Sequence, residues 1–417
     1  MRIIVIATLC LGSILGIEGG VSRAYSQMIP LDKRVAHDFA SRMLSRKLLD
    51  SSSYRNFNAA IEGGRINSTL DALSYLDRAV VIDLREMPQE PAGYIPIIFE
   101  RIKSIVPGFH FDSLRIELQG RDSAGDYPEH GMIISMMIDG REYRQGTFYA
   151  SDRLKDPDPY LGMVGDTYYE IVNKWLADEG ADYRLHQVDY RVVWEDWWAA
   201  RYDRIGLVAL TAHEKRVFDT YPGTLLTVGG ETFDAFIGPR GIERAIAGYR
   251  QIGLFDHLTE EQIAEGTKRA LTESHMNVNG ILRQFPNTIL DVVLESSLRD
   301  EMYADQLKDM AAATHGAFSP SNIRDDYRVK TPSATIFSFE FGGRLYKTKL
   351  VMEEDWIDTK FFDLVNRGIE ENIPDGRFYA LADDDMSMIF LTKKQYEALR
   401  QQRLLRFDLP SGEEKEE

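Results

Sequence analysis

The chain repeats itself, and that restricts its folding more than any other feature. DGREYR (Asp139–Arg144) is followed by YYEIVNKWLADEGADYRLHQV (Tyr168–Val188), and GGRLYK (Gly342–Lys347) by FFDLVNRGIEENIPDGRFYAL (Phe361–Leu381). Within the longer block Tyr168 aligns with Phe361, Glu170 with Asp363, Asn173 with Asn366 and Arg184 with Arg377, without a gap. The same order continues into GLVALTAHEKRVF (Gly206–Phe218) against SMIFLTKKQYEAL (Ser387–Leu399). It starts more loosely with AVVIDLRE from Ala79 against NTILDVVL from Asn287. One matching block arises easily by chance; an ordered series does not, and it implies two copies of one structural unit.

Each copy mixes strand and helix patterns. Val80–Leu84 and Ile289–Leu294 are apolar, β-branched runs of strand length. Tyr94–Val106 and Met302–Ala313 follow with apolar residues at helical spacing. Asp139-Gly140 and Gly342-Gly343 each sit between two strand patterns and suit a two-residue hairpin, whose turn needs positive φ. Helices are expected at Asp166–Ala177 and Asp358–Ile369, then strands ending at Thr211 and Thr392. Those threonines have Glu214 and Gln395 three residues on, the pairing that satisfies free amides at a helix start; Thr259 and Gln262 repeat it. Hairpin strands grouped between helices indicate an α+β fold, a tandem duplication of a domain with a mostly antiparallel sheet packed by helices.

The expected division is a signal peptide at 1–26, a first α+β copy at 27–218, a connecting segment at 219–241, a second copy at 242–405 and a charged tail at 406–417. Arg2 precedes an uncharged run, Ile3–Ile17, and small residues follow at Ser22, Ala24 and Ser26, the layout of an export signal. The run is shorter than the roughly 18–20 residues of a spanning helix, so cleavage after Ser26 is expected, with an N-terminal membrane anchor as the alternative. Cys10 is the only cysteine, so the exported chain forms no internal disulfide and depends on burial for stability. The Asp219–Gly241 connection is glycine-rich, contains Pro222 and Pro239, and leaves room for a short hairpin.

A net charge of −17 repels phosphate backbones, so nucleic acid is not an expected partner. No dinucleotide, P-loop, nucleophile-elbow or zinc-protease spacing occurs, and no cofactor or metal is expected. The eight histidines are scattered; His213 follows the capping Thr211, but its counterpart is Lys394, which suggests a surface position. Asp156, Asp158 and Asp383–Asp385 lack the alternating ligands of a calcium loop and suit turns.

One segment separates the copies. Between Val188 and Gly206 lie 17 residues; between their counterparts Leu381 and Ser387 lie 5. The excess, an aromatic insertion at 189–204, contains VVWEDWWAARYDR (Val192–Arg204), with Trp194, Trp197 and Trp198 at one-face helical spacing beside Arg201 and Tyr202. These five are the candidate partner-binding residues, because Trp, Tyr and Arg are enriched at binding hot spots and a scaffold already closed by the shorter turn does not need them. Packing of the rings on their own sheet or between the copies is the competing reading, and a share in a catalytic pocket a third. The favoured function is an exported, non-enzymatic binding protein for a protein, peptide or glycan. The alternatives are an extracytoplasmic hydrolase with a carboxylate or serine site between the copies, or an envelope assembly protein.

Overall fold

The computed structural model describes residues 33–408 apart from 67–68, 84–86, 89, 120–128, 151–166, 191–203, 220–225, 229–235, 274–276, 293–299, 328–333, 352–356 and 383–386. The signal segment, the aspartate loops and the tail beyond Asp408 lie outside the described residues.

In chain order the elements are α1 (Lys33–Ser45), α2 (Ser51–Glu62), α3 (Thr69–Leu73), β1 (Ala79–Asp83), α4 (Pro91–Lys103), β2 (Ser113–Leu118), β3 (Glu129–Ile138), β4 (Arg141–Ala150), α5 (Glu170–Asp178), β5 (Tyr183–Tyr190), β6 (Arg204–Thr211), α6 (Ala212–Asp219) and β7 (Leu226–Val228). Then follow α7 (Pro239–Ile252), α8 (Glu260–Thr272), α9 (Val278–Arg283), β8 (Leu290–Asp291), α10 (Met302–Ala313), β9 (Ser321–Asp325), β10 (Thr335–Phe341), β11 (Arg344–Leu350), α11 (Lys360–Glu370), β12 (Gly376–Ala380), β13 (Ser387–Thr392) and α12 (Lys393–Gln401). With β7 set aside, the second series repeats the first element for element.

The sheets repeat as well. Strand order β1-β6-β5 recurs as β8-β13-β12, and β2-β3-β4 as β9-β10-β11; every pairing is antiparallel. The fold is α+β, as expected. β7 adds to the free edge of β5, so the connection contributes a strand to the first copy's sheet; on the free edge of β12 the single bridge from Leu381 to Phe407 takes the corresponding place. The second series opens at Pro239, three residues ahead of the expected boundary at 242, and Arg406–Asp408 also belong to the fold: Phe407 bridges Leu381 and Asp408 N–H donates to Ala380 O.

Local chemistry accounts for the boundaries. Both hairpins turn through two residues of positive φ, Asp139 and Gly140 in one, Gly342 and Gly343 in the other. Thr211 with Glu214 and Thr392 with Gln395 form reciprocal bonds at the starts of α6 and α12, and Thr259 with Gln262 at α8. Pro239 opens α7 at the position where its missing N–H costs nothing, and Gly253 ends that helix in the left-handed conformation.

Strand alternation then places one core on each face of each main sheet. In β6, Ile205 and Leu207 join α4, α5 and β3, while Val208 and Leu210 join α1–α3. In β13, Met388 faces α10 and α11, while Ile389 and Leu391 face α7–α9 and α12. Each buried Leu, Ile or Phe in these layers contributes about 1.5–3 kcal/mol.

One polar contact is duplicated atom for atom. Asn173 on α5 accepts from Leu185 N–H at 2.7 Å and donates to Leu185 O at 2.8 Å, pinning the helix to β5. Asn366 on α11 does the same to Phe378 on β12, at 2.9 and 3.3 Å. Both asparagines are buried, where an amide pays its desolvation only by pairing both ends.

Candidate functional site

Trp194, Trp197, Trp198, Arg201 and Tyr202 lie outside the described residues. Their anchor points are described. β5 runs to Tyr190 and β6 starts at Arg204, with Val188 opposite Gly206. In the second copy Leu381 N–H donates to Ser387 O, closing the corresponding hairpin at the corresponding pair. The two hairpins therefore share their register and differ in what is carried beyond it.

The register also fixes which connections are neighbours. Asp83 pairs with Arg204 and Val188 with Gly206, so the end of β1, the end of β5 and the start of β6 share one end of their sheet. Leu118 opposite Met132 and Gly131 opposite Phe148 place the end of β2, the start of β3 and the end of β4 together likewise. Helix α5 joins the two sheets: its first turn lies against the later part of β4, and it runs antiparallel to β5. The connections after β1, β2, β4 and β5 thus leave the first copy at one end.

Under that end lies a buried polar cluster. Gln145 and Thr147 on β4 are both buried, on the face turned to α5. Gln145 Nε2 donates to Gly146 O at 3.0 Å and to Glu170 Oε2 at 3.1 Å, and Thr167 Oγ1 donates to Gly146 O at 3.1 Å. Gln145 Oε1 and Thr147 Oγ1 have no hydrogen-bond partner among the described residues. An unmet buried polar atom costs about 1–3 kcal/mol, so a group that bonds these two atoms gains that much in return. Counted from the hairpin turns, the second copy has Thr348 and the apolar Leu350 at these positions, and Asp363 in place of Glu170 is exposed. The cluster presents mainly acceptors, suited to a group that donates hydrogen bonds, such as a hydroxyl or an amine.

A second polar group lies where the copies meet. Asp178, at the end of α5, accepts from Tyr143 OH at 3.0 Å and from the first free amides of α7: Arg240 N–H to Oδ2 at 2.9 Å and Gly241 N–H to Oδ1 at 2.9 Å. A carboxylate at a helix N-terminus is favoured by amide donors and dipole together. Burial and the Asp178 charge push the Tyr143 phenol well above its ordinary range. Arg240 pairs with Glu179, and Arg141 with Glu243 at 2.8 Å. Gly238 allows the approach, since a Cβ there would lie 2.4 Å from Asp178 Oδ2. Beside it Lys174 is buried and donates to Arg144 O at 2.7 Å; burial lowers its pKa to about 8, against the opposing charges of Glu170 and Glu273.

These carboxylates are committed to capping and ion pairing, and among the described residues no group of three or more His, Cys, Asp or Glu could hold a metal ion. His213 is exposed at the start of α6 beside Arg46, as its counterpart Lys394 is on α12. An open groove of about 710 Å3 between α8 and α9 is lined by Glu261, Lys268, Arg269, Arg283 and Phe285, with Arg269 paired to Glu265 and Arg283 to Asp291.

No sequence motif marked Gln145, Thr147, Lys174 or Asp178. The repeat held the one available signal, because DGREYRQGT and GGRLYKTKL share the tyrosine and diverge two residues later. Compared with protein-family models, curated proteins and solved structures, the chain matches none.

Proposed function

We propose that this chain is an exported, non-enzymatic binding protein of two related α+β domains, with the first copy contacting a protein, peptide or glycan through its aromatic insertion. The observation that carries the reading is the difference between two otherwise parallel scaffolds. The first copy has the longer connections after β4 and β5, and beneath that end it buries Gln145 and Thr147 where the second copy has the half-buried Thr348 and the apolar Leu350. Additions to one end of a scaffold that closes without them are where binding residues are found. The α5–α7 junction gives the hydrolase reading little support, since Asp178, Glu179 and Glu243 are each held by amides or an arginine.

The test replaces Trp194, Trp197 and Trp198 with alanine in the full chain. The expected outcome is a melting temperature within about 2 °C of the parent, with loss of the crosslinked partners captured in the native envelope or medium. A fall of about 10 °C with partners retained would place the rings in the core and remove the proposal's support. N-terminal sequencing of the exported chain, expected to begin at Gln27, tests the localisation separately.

A further inference from the structure

The outer face of the β9-β10-β11 sheet carries three cations that make no ion pair among the described residues. Register places Arg324, Ser338 and Lys347 in one row across the three strands, and Ile336 opposite Lys349 in the next. Arg324, Lys347 and Lys349 are exposed and make no ion pair with any described residue. Adjacent strands are about 4.8 Å apart, so the three cations crowd within roughly 10 Å of one another. Leu345 and Ile336 stand exposed beside them, at 61% and 44%. Glu340 shares this face but accepts from Asn322 at 2.7 Å, so among the described residues three cations stand against one acid in a protein of net charge −17.

The same strand has an open edge. β11 pairs with β10 alone among the described strands. The two-residue turn makes Phe341 and Arg344 a hydrogen-bonded pair, so Arg344, Tyr346, Thr348 and Leu350 direct their N–H and C=O groups to β10. Leu345, Lys347 and Lys349 direct theirs outward. The free backbone groups and the exposed side chains therefore belong to the same three residues. In the first copy the corresponding edge is covered: Lys174 binds Arg144 O, and α7 packs beside β4 through the Arg141–Glu243 pair. In the second copy Arg367, the counterpart of Lys174, is exposed, and no described element takes the place of α7.

We propose that the β11 edge binds an acidic, extended peptide segment of a partner protein, which adds as an antiparallel strand. Its alternate residues would face Lys349, Lys347 and Leu345 in turn, so the favoured pattern is acid, any, acid, any, apolar. Backbone pairing supplies affinity and the alternate side chains supply selection. Lysines on an exposed edge oppose pairing with a like strand, which argues against a second copy's β11 as the occupant. A polyanionic glycan would use the cations but neither the open amides nor Leu345 and Ile336.

The experiment titrates full-length protein into a fluorescein-labelled peptide, Thr-Glu-Thr-Glu-Thr-Leu-Thr, and reads anisotropy at low salt. Saturable binding is expected, weakened about tenfold by Lys347→Glu with Lys349→Glu, each reversal placing like charges opposite one another. Lys347→Pro is the second variant. Its N–H points away from the sheet, where proline is tolerated, so the melting curve should hold while binding falls about tenfold. Binding that survives Lys347→Pro in a folded protein would overturn strand addition. Equal binding by a glutamate-only peptide or by dextran sulfate would overturn the peptide assignment in favour of a bare anion site. Absence of saturable binding by the parent protein would overturn it outright.

Discussion

The tyrosine–carboxylate pair at the end of α5 and its counterpart at the end of α11 begin alike and finish differently. Tyr143 donates to Asp178, and Tyr346 to Glu371, each at 3.0 Å. Asp178 then receives two backbone amides of α7, so the first copy's pair becomes the joint to the second. Glu371 receives Arg344 instead, at 3.0 Å, and those two bonds hold its carboxyl below the usual range. The carboxylate is one methylene longer and its partner is an arginine from the same copy, so the second copy finishes itself where the first requires a neighbour. A repeat array behaves in this way: interior faces are completed by the next unit and terminal ones by their own polar groups.

Asp178→Ala should break that comparison most strongly. It removes the Tyr143 bond and the α7 cap together, and urea unfolding should show a loss of about 3 kcal/mol. Glu371→Ala, at an exposed position, should leave the midpoint nearly unchanged. Equal losses would mean that the α7 amides contribute nothing.

The asparagine pair sharpens the comparison where the copies agree. Asn173→Ala and Asn366→Ala should each lower stability by about 2 kcal/mol, because each strands a buried backbone N–H and C=O. The Asn173 effect should be the larger, since its bond to Leu185 O is shorter than that of Asn366 to Phe378 O. A neutral Asn366→Ala would show that β12 holds α11 by apolar packing alone.

The smallest effect is a pH dependence. Lys174 has a folded pKa of about 8 against 10.5 unfolded, so the unfolded chain holds more protons between those values. Lys174 therefore makes stability rise with pH across that window, most clearly between about pH 8 and 9.5, before the tyrosines titrate. Lys174→Met should flatten the rise in melting temperature over that range, and the corresponding Arg367→Met should not. An unchanged slope would mean that Lys174 keeps its proton in the folded state.

Short-range chemistry was legible without coordinates. Asp139-Gly140, Gly342-Gly343 and the three threonine caps specify their own turns and helix starts, because each needs only residues within four positions. Aligning the repeat also exposed Asn173 with Asn366. α1–α3 and α7–α9 were not legible as a repeated layer, since an amphipathic helix that covers a sheet face needs only apolar spacing and tolerates almost any sequence beyond it. Nor was β7, a three-residue strand whose only specification is the free edge of β5. Gln145 and Thr147 read as an ordinary half-exposed strand until α5 is laid across them.

The sequence by itself determined a twice-told α+β plan, its hairpins and its caps, through local backbone preferences that hold in any context. The tertiary structure alone decided which polar groups are buried, which carboxylate joins the copies and which strand edge stays open. Those outcomes depend on what packs against a residue, and for Asp178 and Glu371 the packing differs although both stand at the same position of the repeat and both accept from the corresponding tyrosine.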